Sequence, residues 1–354
     1  MAELSVKHVA IAGMAACVPS AVSENRGLKL FGEEGADNFI KSTGIERRRI
    51  ADRQVCSSDL CEKASNELLA ALGWSRESVD CLVFVTQTPD YQLPATSCIL
   101  QYKLGLSVHC YTLDISLGCS GWVYAMSVIS ALMSTGQMKR GLLLAGDTPA
   151  KLCSAEDKST YPLFGDAGTV TAFEYTDDED KRLDFLLNSD GSGYAAIIVP
   201  DGSLSARNPV SPDSFQYQSR GDMLNSNRLQ VVLEGMDVFS FGISRAPESV
   251  NGLLERFNLN KDEIDYYWFH QANLFMNEKI RKKLKLPPEK VPYSLKNFGN
   301  TSCATIPLTM VTQLKDKLTQ EKLAHVACGF GVGLSWGSVF FETDCIVCLD
   351  LIEF

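Results

Sequence analysis

Hydrophobic positions along the chain gather into short unbroken runs, separated by stretches with helical spacing, and this alternation sets the expected elements. His8 to Ala16, Val79 to Thr86, the run ending at Leu117, Leu323 to Cys328 and Ser338 to Glu342 read as buried strands. Runs of Val, Ile, Leu and Ala without polar alternation suit strands covered on both faces, so an α/β protein with mainly parallel sheets is expected. Between the runs, Ser58 to Leu72 carries apolar residues at helical spacing, with a Ser N-cap and Gly73 as the stop. Val123 to Leu132 is apolar throughout, whereas Leu274 to Leu284 is amphipathic. Arg26 to Gly35 reads as a polar connection, and Asn188 to Asn227, rich in Gly, Ser, Pro and Asp, as a strand end and a long surface loop of the kind that covers a site.

The pattern repeats within the chain. Asn66 to Thr86 aligns without a gap against Asn251 to Gln271, with Asp80 opposite Asp265 and Phe84 opposite Phe269, and Gly136 to Gly146 matches Thr319 to Gly329 at nearly the same offset. A duplicated architecture follows. Its boundary is expected in the charged turn after Thr176, giving halves 1–176 and 177–354. Extending the match sets Cys119 opposite Ser302, two residues after Asn300.

Composition narrows the function. The 354 residues are 45% hydrophobic, enough for a substantial core, and the formal charge of -10 gives no overall footprint for nucleic acid. No run reaches the roughly 18 apolar residues of a membrane span, and the first residues lack a charged leader and cleavage site, so a cytosolic protein is expected. The twelve cysteines lie scattered in apolar contexts, which favours reduced thiols. Cys345 and Cys348 form a lone CxxC without a second ligand pair, and metal is not expected there. Arg47, Arg48 and Arg49 read as a solvated face.

Candidate chemistry centres on Cys119. It stands where an apolar run ends in Gly118-Cys119-Ser120-Gly121 and a helix begins, a position where free N–H groups and the helix dipole are expected to lower a thiol pKa. Of the four histidines, His8, His109 and His325 read as structural, whereas His270 ends a strand and precedes a turn into a helix. Asn300, before another buried helix, reads alone as a cap. Together with Cys119 and His270 it completes a nucleophile, a donor or base, and a neutral donor. The glycine-rich Gly329 to Gly337 is followed by a strand rather than a helix, which weakens a dinucleotide reading; its glycines suit close backbone approach to an oxyanion, or a plain hairpin.

The segments around Cys119 (DISLGCSGWVYA), His270 (WFHQAN), Asn300 (FGNTSCATIPL) and Phe330 (FGVGLSWGS) resemble, in order, the motifs of ketoacyl-acyl-carrier-protein synthase III, of the thiolase superfamily. The resemblance implies a five-layered αβαβα thiolase-like fold with internal duplication, and a homodimer. It implies no cofactor, with a coenzyme A thioester as substrate: acyl-CoA acylates Cys119, and malonyl acyl carrier protein then condenses with loss of carbon dioxide. His270 Nε2 and the Asn300 amide would hold the enolate oxygen. The N–H of Cys119 and one from Gly331 to Gly333 would hold the other oxyanion. Leu93, Phe164, Lys158, Gly235 and Asn273 are expected to contact substrate, Leu93 by reaching into the partner's acyl pocket, and Lys282 and Lys283 to dock the carrier.

Departures from the family point to a specialised paralogue. Asn38 and Ser42 replace the usual Trp and Arg that sandwich the adenine of coenzyme A, and Phe275 replaces an Arg on the carrier-docking face. Three alternatives stand beside decarboxylating condensation. The first is plain acyl transfer to a non-malonyl acceptor, and the second a non-catalytic partner subunit, which would be expected to lose its Cys. The third is hydroxymethylglutaryl-coenzyme A synthase, disfavoured because Gln87 replaces the acidic residue that enzyme needs.

Overall fold

The structure, a computed structural model, describes residues 2–31, 35–202, 208–219 and 225–354. Parts of the predicted connections, residues 32–34, 203–207 and 220–224, lie outside the described residues. The first half contributes β1 (Ala2–Lys7), β2 (Val9–Val18), α1 (Gly35–Thr43), α2 (Ser57–Leu72), β3 (Cys81–Val85), α3 (Thr96–Lys103), β4 (Tyr111–Ile115), α4 (Gly121–Met133), β5 (Arg140–Asp147) and β6 (Ala167–Tyr175). The second contributes β7 (Arg182–Ser189), α5 (Gly235–Arg256), β8 (Tyr266–Phe269), α6 (Leu274–Lys283), α7 (Thr305–Gln320), β9 (Lys322–Gly331), β10 (Ser335–Asp344), β11 (Val347–Cys348) and β12 (Ile352–Glu353).

Two sheets share one plan. The first runs β11-β2-β6-β5-β3-β4, with β12 also on β2, and the second β1-β7-β10-β9-β8. Within them β3-β5-β6-β2 and β8-β9-β10-β7 have the same order and the same relative directions: a parallel pair, then two antiparallel pairs. The sheets are therefore mixed, not mainly parallel as expected. An unbroken apolar run reports burial on both faces and carries no sign of strand direction.

The helices complete five layers. α4 and α7 lie between the sheets and touch strands of both; α2 and α3 cover the outer face of the first sheet, and α5 covers that of the second with α6 packed on it. The middle position explains why α4 is apolar all round, with Trp122, Val123, Met126, Ile129 and Met133 buried in the central core.

Local differences have local causes. His8 does not open a strand: its φ of 67° turns the chain from β1 in the second sheet to β2 in the first, and its ring stacks on Tyr175 at 5.9 Å. α2 starts one residue early and is capped by Cys56, whose N–H donates to Asp59 Oδ2 at 2.8 Å, while Gly73 ends it at φ 65°. Cys345 is exposed and Cys348 buried. No helix among the described residues is long and apolar enough to cross a membrane.

Candidate active site

Cys119 sits just past the end of β4, one residue before the Ser120 cap of α4. Its side chain is buried, 8% exposed, against the end of β9. Burial pushes the thiol up to about 12; the N–H groups of Val332 and of Cys119 itself and the Ser302 hydroxyl pull it down, and the Asp147 carboxylate pushes it further up. This reverses the expected lowering. A helix N-terminus contributes about 1 kcal/mol toward an anion, less than removing a thiolate from water costs. Alkylation of Cys119 by iodoacetamide is therefore expected to accelerate roughly tenfold per pH unit from pH 7 to 10, since only the thiolate reacts. A rate that levels off below pH 8, measured by mass spectrometry of the Cys119 peptide, would contradict this environment.

His270 follows β8 and is 2% exposed. Its Nδ1 lies 2.8 Å from Thr305 Oγ1, and the ring meets Phe330 edge-on at 5.5 Å. Burial holds its pKa down at about 3, so the imidazole is neutral and offers Nε2 to the cavity. Asn300 keeps the capping role that its loop suggested: its Oδ1 accepts from the Ser302 N–H at 2.9 Å. That bond fixes the amide plane and directs the NH2 away from the loop. His325, by contrast, is a core residue, taking the Trp268 indole N–H on Nδ1 at 3.2 Å with Thr343 Oγ1 2.8 Å from Nε2.

These groups converge on a cavity of about 620 Å³, lined by Cys119, His270, Asn300, Ser302, Gly331 and Val332, and by the expected Lys158, Phe164, Gly235 and Asn273. Ile197, Val231 and Leu233, from the region read as a covering loop and just beyond it, also line it. Gly333, Leu93, Lys282 and Lys283 do not. Asn273 doubles as the cap of α6, its Oδ1 accepting from Met276 N at 2.8 Å. Leu93 is 79% exposed, on the surface near the free edge strand β4. At the mouth Phe275 stacks on Phe239 at 5.5 Å, with the Lys279 ammonium 5.3 Å from the Phe275 ring centroid.

Two contributors escaped the sequence reading. Asp147 ends β5 in the cavity wall, its Oδ1 accepting from Gln87 N at 2.7 Å and from Thr86 Oγ1 at 2.8 Å, which fixes the turn carrying Gln87. Arg48 is wholly buried rather than solvated. Its guanidinium donates to the carbonyls of Tyr161 and Phe164, to Asn25 Oδ1 and to Ser23 Oγ, and so pins the segment that brings Phe164 to the cavity. Three adjacent arginines look like a charged surface because nothing local tells that the middle one points inward from a strand.

Comparison with known proteins agrees with this geometry. Residues 113–191 match the family model of 3-oxoacyl-acyl-carrier-protein synthase III, and residues 254–343 match the model of its C terminal part. Beta-ketoacyl-acyl-carrier-protein synthase III 1 of Bacillus cereus is 32% identical over 333 residues, 94% of this chain and 98% of the relative. The synthase III of Rhodopirellula baltica is 32% identical over 356 residues, 96% and 99% of the two chains. A crystal structure of a 3-oxoacyl-acyl-carrier-protein synthase from Burkholderia xenovorans superposes with a TM-score of 0.93 at 40% identity, covering 100% of this chain and 99% of that one. With its paired sheets around two central helices and 32–40% identity to these enzymes along nearly its whole length, the chain belongs to the 3-oxoacyl-acyl-carrier-protein synthase III family of acyltransferases, in the thiolase superfamily.

Proposed function

We propose that Cys119 accepts an acyl group from a thioester and that the acyl-enzyme then condenses with malonyl acyl carrier protein. The convergence of Cys119, His270 and Asn300 on one apolar cavity carries the reading. In the first step the thiol proton leaves with the departing thiol, and the sulfur gains the acyl group. In the second, the malonyl carboxylate leaves as carbon dioxide and its bonding pair becomes an enolate, whose oxygen takes hydrogen bonds from His270 Nε2 and Asn300 Nδ2. The enolate carbon attacks the acyl carbonyl, and the C–S bond to Cys119 breaks. The N–H groups of Cys119 and Val332, both beside the sulfur, hold the tetrahedral oxyanion. A panel of acyl thioesters scored by intact mass tests the first step: an adduct that maps to Cys119 and vanishes in Cys119→Ala supports it, and no adduct from any donor overturns it.

The same reading includes a cytoplasmic homodimer. β4 is a sheet edge, and Leu93, Tyr102, Val108 and Tyr111 around it are 79%, 83%, 87% and 41% exposed. An apolar edge of this kind calls for a partner. Pairing there would carry Leu93 toward the other subunit's cavity. Lys158 at the cavity and Lys282 and Lys283 on the last turn of α6 supply positive charge for a carrier, with Phe275 on the first turn of the same helix as an apolar contact.

Asn38 and Ser42 offer neither an aromatic face nor a guanidinium to adenine, and the Ser42 hydroxyl is turned to the Phe39 carbonyl at 2.9 Å. Acyl-phosphopantetheine is therefore expected to load Cys119 with a kcat/KM within about 3-fold of acyl-CoA, because neither side chain gives the adenine a stacking contact that the shorter donor would lose. A preference above about 30-fold for the coenzyme A thioester would show a nucleotide site that this reading lacks.

A further inference from the structure

We propose that Gln87 is a specificity-determining residue for the acyl donor, and that Cys119 is loaded preferentially from acyl thioesters that carry an oxygen on C3, as a 3-hydroxyacyl or 3-oxoacyl group. The proposal deepens the acyl-loading reading and rests on it. The Gln87 side chain is partly buried and lines the same cavity as Cys119. Its carboxamide lies over the Cα of Gly118, the residue before the nucleophile: a Cβ at position 118 would collide with Gln87 Oε1 and stand 3.1 Å from Cδ. The same Cβ would be 3.2 Å from Ser302 Oγ, the hydroxyl that reaches the Cys119 sulfur. The amide therefore sits at the root of any acyl chain carried on Cys119.

The turn around Gln87 is fixed, whereas its amide is not spent. The Gln87 N–H donates to Asp147 Oδ1 at 2.7 Å, and the same oxygen takes the Thr86 hydroxyl at 2.8 Å. The side-chain amide has no hydrogen-bond partner among the described residues, in a cavity whose wall also holds Pro149, Leu152, Phe164 and Val231. Covered by a plain alkyl chain, that amide forgoes a hydrogen bond; an oxygen on the chain restores it. A carboxamide both donates and accepts, so it can serve a hydroxyl or a keto oxygen. The C1 oxygen belongs to the N–H groups of Cys119 and Val332, and the amide one residue away meets an oxygen farther along, at C3. His270 and Asn300 serve the malonyl enolate, so no other step of the reaction claims this group.

The test loads the full-length enzyme from three matched thioesters, butyryl, 3-hydroxybutyryl and 3-oxobutyryl, and follows the Cys119 adduct by intact mass. Loading moves the acyl group from the donor sulfur to the Cys119 sulfur, and the thiol proton leaves on the departing thiol, so no further reactant is needed. Both oxygenated donors are expected to load about 10-fold faster than butyryl at equal low concentration, the scale of one hydrogen bond gained by an unpaired amide. In Gln87→Leu the ratio should fall to within about 2-fold, because the side chain no longer forms that bond. Gln87→Glu keeps acceptors and loses the donor, so its preference for 3-hydroxybutyryl should outlast that for 3-oxobutyryl. Equal loading of all three donors by the parent, or a preference that survives in Gln87→Leu, overturns the proposal. Should Gln87→Leu fail to fold, the parental ratios and the Glu variant still decide it. A parent enzyme that takes no acyl group from these or any other thioester would contradict the functional reading instead.

Discussion

His270→Ala and Asn300→Ala are each expected to slow condensation by about 10²- to 10³-fold while leaving acyl loading of Cys119 within a few-fold of the parent. The separation follows from which groups touch which atom. The groups that stabilise the Cys119 sulfur are the N–H groups of Val332 and Cys119 and the Ser302 hydroxyl, and neither His270 nor Asn300 is among them. His270 is neutral at working pH, so it brings no charge to the thiol; its contribution arises when negative charge grows on the enolate oxygen. The double variant should fall short of the product of the two losses, because both donors serve one oxygen. Intact-mass kinetics for loading and product formation for condensation read the two steps apart. Loss of loading in His270→Ala to the same extent as condensation would make His270 the base for the thiol instead.

Gly331→Ala is expected to slow loading by about 10²-fold or more, a scale reached when a reacting atom is misplaced by about 1 Å. A Cβ on residue 331 would stand 2.6 Å from Cys119 Cβ and 2.8 Å from Sγ, closer than real Cβ contacts come. The obstruction is rigid on both sides: β9 is paired with β8 and β10, and Cys119 is held at the start of α4. Something must move, and the nucleophile is the small group at the contact. The control is Gly191→Ala, where an added Cβ meets nothing within 4 Å, and loading should be unchanged. Parental loading in Gly331→Ala would mean that the sulfur is not fixed by this contact.

How much of this was legible in the chain differs by the kind of information involved. The duplication was readable because each half repeats a helix followed by a buried strand, and the sheets show the same four-strand plan twice. The repeat also paired Cys119 with Ser302, and the structure brings both to one cavity wall. Strand direction was not readable, since Val170 to Phe173 and Leu142 to Ala145 are equally buried although β5 and β6 run oppositely. Nor was the break at His8, where one left-handed residue hands the chain from sheet to sheet within an unbroken strand pattern.

The site shows the same division. Cys119, His270 and Asn300 were identifiable as residue types at element ends, because chemistry needs those types there. The state of the thiol was not, because proximity to a helix start is local whereas its burial depends on β9, more than two hundred residues away. Arg48 and Asp147 went unread for the same reason. Each acts through partners distant in sequence: the Phe164 carbonyl and the turn at Gln87.

The central claim is that acylated Cys119 is consumed by decarboxylative condensation, and carbon dioxide release tests it most directly. The purified enzyme is given an acyl thioester and malonyl carrier protein labelled in the free carboxyl group, and gas release is followed beside the mass of the Cys119 adduct. The account predicts one labelled carbon dioxide for each acyl group lost from Cys119, and coupled release abolished in Cys119→Ala. Disappearance of the adduct without labelled carbon dioxide, with the carrier shown to bind, would contradict it and make the protein an acyltransferase to another acceptor.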